Sequence, residues 1–255
     1  MGAAFTLWQR EVVRFYRQRS RIVGALGSPI VFWVLLGSGF GRSFQPAAAS
    51  SLINGYLEYF YPGTLALIVL FTAIFSTVSI IEDRHEGFLQ GVLAAPVSRV
   101  AIVAGKLMGA ATLATLQAAV FLAVAPFAVP TITFISAIQV LGVLALLAIG
   151  LSGLGFLIAW HFDSIQGFHA VMNMGLMPLW ILSGAAFPAS GAAEWVQVLM
   201  TINPLTYGVA ALRHILSPMA LPHQPALLTS LVVIALFDVV ALCASVILVR
   251  RDTAR

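Results

Sequence analysis

What most constrains this chain is a succession of apolar runs about twenty residues long, each closed by a short polar break. A helix rises ~1.5 Å per residue, so a run of that length just crosses a hydrocarbon layer ~30 Å thick. Within that layer every backbone amide must be satisfied by protein, which leaves helices and closed barrels as spanning structures. The apolar stretches are continuous rather than alternating, and that removes the barrel. Composition agrees, since 60% of the 255 residues are hydrophobic and 9% charged, with a mean hydropathy of +1.00. The expected fold is an all-α polytopic membrane protein whose single transmembrane domain occupies residues 1–255.

Six spans are expected, at 22–40, 59–81, 107–129, 134–160, 165–187 and 227–249. Pro29 breaks the first, and Arg42 to Glu58 forms the first external loop. Ahead of the spans, residues 5–21 set Leu7, Trp8, Val12, Phe15 and Tyr16 at helical spacing with arginines opposite. Such a helix lies at the membrane surface, aromatics in the bilayer and arginines toward anionic lipid phosphates. Its five arginines spread too far for the charged region of a cleavable signal peptide. In span three, Ala110, Ala114 and Ala118 lie four apart, and Gly105 and Gly109 extend this small-residue stripe backward, so it is able to seat another helix, within the chain or from a second subunit.

Residues 188–217 depart from the pattern. Two pieces, 192–202 and 205–216, are too short to cross and are split by Asn203-Pro204, so they are expected as an outer re-entrant or interfacial pair. Asn203 is placed to cap the second piece, Pro204 to occupy its first position, and Arg213 to meet its negative end. With six spans both termini share a side. The N-terminal helix brings five cations, the elbow after span two brings three and the C-terminal tail three, so eleven of thirteen lie together and only Arg42 and Arg213 oppose them. Both ends are therefore expected in the cytoplasm.

That elbow, from Glu82 to Lys106, is the longest polar interruption between apolar runs. Phe88, Leu89, Val92 and Leu93 share one side, while Glu82, Asp83, Arg84, His85, Glu86 and Gln90 fill the first turns, as in a short amphipathic helix that Pro96 ends. Glu86-Gly87, then Leu93 through Pro96 to Arg99, and finally Gly105-Lys106 resemble the signature of ABC-2 type transporter permeases. Phe88 stands where the family usually has threonine, and Gln90-Gly91 where it has an acidic position. Asn203, Pro204, Tyr207 and Arg213 resemble a second motif of that family, in its outer helix pair.

The resemblance implies a subunit of an exporter that pairs with a second copy or close relative and with separate ABC ATPase subunits, which bind ATP and magnesium. Residues 82–99, with Glu82, Asp83, Arg84, Glu86, Gly87, Leu93, Pro96 and Arg99, are then the expected coupling surface, and the acidic ones face basic groups of the ATPase. The expected cargo is an amphiphile such as a drug, a lipid or a lipid-linked saccharide, in the bacterial cytoplasmic membrane.

No phosphate-cradling loop is present, because Gly105-Lys106 lacks the upstream glycine and the hydroxyl after the lysine. Two other classes stay open. Gly150-Leu151-Ser152-Gly153 and the His169 to Asn173 pair resemble parts of rhomboid-type intramembrane serine proteases, but span six offers no histidine as base. Asp238 sits mid-span in span six, where an acid is costly, and marks an ion-coupled carrier or a contact to a cationic cargo. Asn173 and Met177 are further candidates for the pathway. Met172, Met174 and Met177 with Phe168 and Trp180 suit either a soft pocket or ordinary packing. The five histidines lack metal-ligand spacing, Cys243 is alone, and the cations follow topology rather than forming a nucleic-acid face, so no cofactor in this chain and no nucleic acid are expected.

Overall fold

The computed structural model describes residues 2–17, 19–40, 56–217 and 224–252, and among these every regular element is helical. Most of the expected first external loop, with Arg42, and also His223 and Arg255 lie outside the described residues. In chain order the helices are α1 Ala3–Arg17, α2 Arg19–Phe40, α3 Tyr56–Ser76, α4 Val78–His85, α5 Phe88–Ala94 and α6 Arg99–Leu122. They continue with α7 Ala125–Ala128, α8 Phe134–Ala159, α9 Ile165–Trp180, α10 Glu194–Ile202, α11 Pro204–Leu216 and α12 Leu227–Asp252.

Four helices among the described residues are long and apolar enough to cross a membrane: Tyr56–His85, Arg99–Leu122, Phe134–Ala159 and Leu227–Asp252. α2 has 22 residues interrupted by Pro29. α9 has 16 and runs into a π-turn, Ile181–Ala185. α3 is the central column, touching α2, α6, α8, α9 and α11. Phe60, Tyr61, Leu65, Ile68, Leu70 and Ile74 are fully buried along it. Its polar aromatic groups are satisfied inside the bundle: Tyr61 donates to the Phe121 carbonyl at 3.0 Å, and Trp180 of α9 donates to the Gly63 carbonyl at 2.8 Å.

α12 is inverted relative to a surface helix of a water-soluble protein. Ser230, Asp238 and Ser245 are on its buried side, while Leu228, Val232, Leu236, Val239 and Ile247 are exposed. A bilayer imposes this arrangement, because outward apolar groups cost nothing there and polar ones must turn into the protein. Close helix approach is bought with glycines on α8. A Cβ on Gly150 would lie 2.3 Å from Asp238 Oδ1, and one on Gly153 would lie 2.7 Å from the Ala241 Cβ.

The chain around residue 86 differs from the expected elbow. Glu82, Asp83, Arg84 and His85 continue the span-two helix as the end of α4, and the short amphipathic helix begins only at Phe88. Gly87 causes the break, since its φ of 73° is a left-handed conformation that a side chain resists. Lys106 likewise belongs to α6, which starts at Arg99 with Ser98 accepting from the Ala101 amide as its cap.

Candidate functional site

The elbow is held by an ionic cluster built from α1, α4 and α6. α1 folds back along α6, and two glycines make room for it. A Cβ on Gly105 would lie 2.7 Å from the Leu7 Cβ, and one on Gly109 would lie 2.6 Å from the Glu11 Cβ. At this end of α6 the small-residue stripe therefore seats a helix of the same chain. The Trp8 indole donates to Thr112 Oγ1 at 3.0 Å and fixes the register.

This docking brings α1's Glu11 and α4's Asp83 against Lys106, which is the only lysine in the chain. Lys106 Nζ donates to Glu11 Oε1 at 2.6 Å, to Asp83 Oδ2, and to Ser79 Oγ at 3.4 Å. Asp83 is fully buried and also accepts from Arg10 at 2.7 and 2.9 Å and from Arg14 at 2.9 Å. Arg14 reaches Glu82 and Glu86, each at 3.1 Å. Hydrogen bonding to Asp83 keeps the Arg10 guanidinium above its ordinary range, against the effect of its partial burial. The same guanidinium lies 3.7 Å over the Phe88 ring, so α1 grips α5 as well as α4.

Two expectations change accordingly. Arg10 and Arg14 face carboxylates of their own chain rather than lipid phosphates, because Glu82 and Asp83 of α4 and Glu86 just after it lie within reach of α1. Asp83 is enclosed by cations of α1 and α6 and is not available to a partner protein. Glu86 is different, with 57% of its side chain exposed. His85, Glu86, Gly87, Gln90, Gly91, Ala94 and Pro96 form the outward face of the elbow. Leu93 and Arg99 work inside it, Arg99 donating to the Leu93 carbonyl at 2.7 Å and so closing the turn across Pro96. Arg84 turns away from that face toward the α8–α9 connection, where it donates to the Trp160 carbonyl at 2.6 Å.

At the other end of α3 lies the second motif. Asn203 Oδ1 accepts from the Leu205 amide at 3.0 Å, its Nδ2 donates to the Leu179 carbonyl at 2.7 Å, and Pro204 takes the first helical position. Tyr207 donates to the Thr201 carbonyl at 2.9 Å. Arg213 is buried; it donates to the Gly184 carbonyl at 3.1 Å and stacks 4.3 Å over the Tyr59 ring. Gly184, at φ 79°, supplies the reversal that aims this carbonyl. The motif thus clamps α11 to the start of α3 and to the π-turn.

Other candidates are dispersed. Ser152 donates to the Ala148 carbonyl of its own helix at 2.7 Å, and its neighbouring glycines seat α12 and α3. That is packing, not a nucleophile with a base. Asp238 is buried in the α8–α12 seam and neither carboxylate oxygen has a hydrogen-bond partner. Asn173 and Met177 lie on an exposed face of α9, while Met172 and Trp180 are buried. Among the described residues no group of histidine, cysteine or acidic side chains is arranged to hold a metal ion.

A family model for ABC-2 type transporters matches residues 3–217, which takes in α1, the elbow, Asn203 and Arg213. The chain belongs to the ABC-2 type transporter family. Similar proteins include the putative transport permease ycf38 of Cyanophora paradoxa, 28% identical over 84% of this chain and 73% of that one. Nodulation protein J of Rhizobium meliloti is 25% identical over 85% of this chain and 82% of its own length. The daunorubicin resistance ABC transporter permease protein DrrB1 of Streptomyces coeruleorubidus is 22% identical over 85% and 75%. This ABC-2 permease is accordingly a membrane-embedded transport subunit.

Proposed function

We propose that this permease forms, with a second copy, the pathway of an ABC exporter for an amphiphilic cargo, driven by separate ATPase subunits that bind ATP and magnesium. It crosses the cell membrane six times with both termini in the cytoplasm. One observation carries the coupling role: the elbow presents Glu86, Gly87, Gln90 and Gly91 outward, while on its inner side the acids of α4 are tied to α1 and α6. A force on the exposed face is thereby delivered to several helices at once. A second copy is supported by α9, which leaves Asn173, Met174 and Met177 exposed. An amphiphilic cargo is supported by the drug named for the DrrB1 relative.

The test is a tagged pull-down in mild detergent from cells that also make the candidate ATPase. Co-purification of an ATPase, with hydrolysis lost on replacing residues 86–96, is the expected result. A correctly folded chain that never retains an ATPase overturns the proposal.

A further inference from the structure

We infer that Arg84 is a positioning residue that carries movement of the elbow into α8, α9 and α12, by a route separate from the ionic cluster on α1. This rests on the exporter reading above. Although Glu82 and Asp83 point toward α1, the Arg84 side chain crosses to the α8–α9 connection. Its guanidinium donates to the Trp160 carbonyl at 2.6 Å, to the Phe162 carbonyl at 3.2 Å and to Asp163 Oδ1 at 3.0 Å. His85 Nε2 donates beside it to the Asp163 carbonyl at 2.6 Å. A single turn of α4 thus makes four hydrogen bonds to a stretch of four residues.

The carbonyl bonds matter most. The last carbonyls of a helix have no partner within it and carry its negative dipole end, so a guanidinium there is held by charge and by directed hydrogen bonds together. The pair with Asp163 contributes less, because that carboxylate is 89% exposed and water screens it. Trp160, whose carbonyl takes the shortest bond, passes the connection on, since its indole donates to Asp252 Oδ2 at 3.2 Å at the end of α12. Ser164 follows immediately and caps α9 by accepting from the Gly167 amide at 3.2 Å. The gripped segment is therefore a capped helix junction, and displacing it moves both helices. α9 carries Asn173 and Met177, so this route ends at the candidate pathway.

Arg84→Ala and Arg84→Lys test the inference in the assembled transporter, beside the isolated chain. With Cys243 replaced by alanine, spin labels on the exposed positions Gln90 and Gln166 of the isolated chain report the separation of elbow and α9. A narrow distance distribution is expected for the parent, a broadened one for Arg84→Ala, and partial recovery for Arg84→Lys, with thermal stability measured alongside. In proteoliposomes Arg84→Ala is expected to bind the ATPase as the parent does while moving several-fold less cargo per ATP hydrolysed. An unchanged distance distribution in Arg84→Ala overturns the inference, and so does an unchanged cargo-to-ATP ratio. A merely structural cap would lower stability and leave that ratio as it was. If the parent binds no ATPase, the exporter reading fails, while the distance measurement still reads whether Arg84 joins the two elements.

Discussion

Replacing Lys106 by methionine leaves Glu11 with a single cation, Arg10, at 3.5 Å, inside a contact that buries both Glu11 and Lys106. Asp83 keeps Arg10 and Arg14. Removing one partner of a buried ion pair costs about 3 kcal/mol, because the remaining charge has been taken out of water without compensation. For a chain of this size that corresponds to a fall of about 6 °C in the unfolding temperature. Combining Lys106→Met with Glu11→Leu replaces both ends of the pair by apolar groups, and it should recover at least about half of the loss. Thermal unfolding of the detergent-purified chain, followed by tryptophan fluorescence, measures the parent and both variants. Trypsin cleavage within α1 gives a local readout, since undocking exposes its arginines. A Lys106→Met variant within ~1 kcal/mol of the parent, or a double variant less stable than the single, would refute the reasoning.

Glu86→Lys should fold normally, since an exposed ion pair is worth roughly 0–1 kcal/mol, yet lose ATP-dependent transport; vesicle uptake and unfolding temperature together check it. Gly150→Leu should destabilise the chain by about 2 kcal/mol or more, because its Cβ alone would strike Asp238 and Phe237, and thermal unfolding would show it. Asp238→Asn should transport at the parental rate with stability within ~1 kcal/mol, as no hydrogen bond is lost; abolished transport would instead favour a cation contact. Asn203→Ala should cost about 1 kcal/mol or somewhat more through the lost cap and the lost bond to Leu179, seen as a lowered unfolding temperature.

Much of the membrane architecture could be read directly, because a run of apolar residues leaves a helix as the only economical structure. The break at Asn203-Pro204 was equally plain, since cap and proline act locally, and α10 and α11 lie on either side of it. Local chemistry also mislaid the start of the elbow helix. Glu82 to His85 are polar enough to suggest the beginning of a new helix, whereas the left-handed Gly87 places them at the end of the old one. The ionic cluster depends on α1 returning along α6, a contact spanning some ninety positions that no periodicity reveals. Its traces were present all the same: one glutamate within a helix of arginines, the chain's only lysine, and glycines at 105 and 109. Arg84 gave no comparable sign, because its partners are mainly backbone carbonyls.

The helix running from Tyr56 to His85 is fastened by arginines at both ends, to Arg213 at Tyr59 and to Arg10 at Asp83. Those two residues are about 36 Å apart at ~1.5 Å per residue. Such a strut transmits thrust without shortening, and it can give at Pro62, inside α3, and at Thr77, between α3 and α4. Whatever tilts the lower fastening must therefore displace the upper one, or else bend the strut at one of these two residues. The two ends of the bundle are joined by a mechanical part whose stiffness is set at one proline and one threonine.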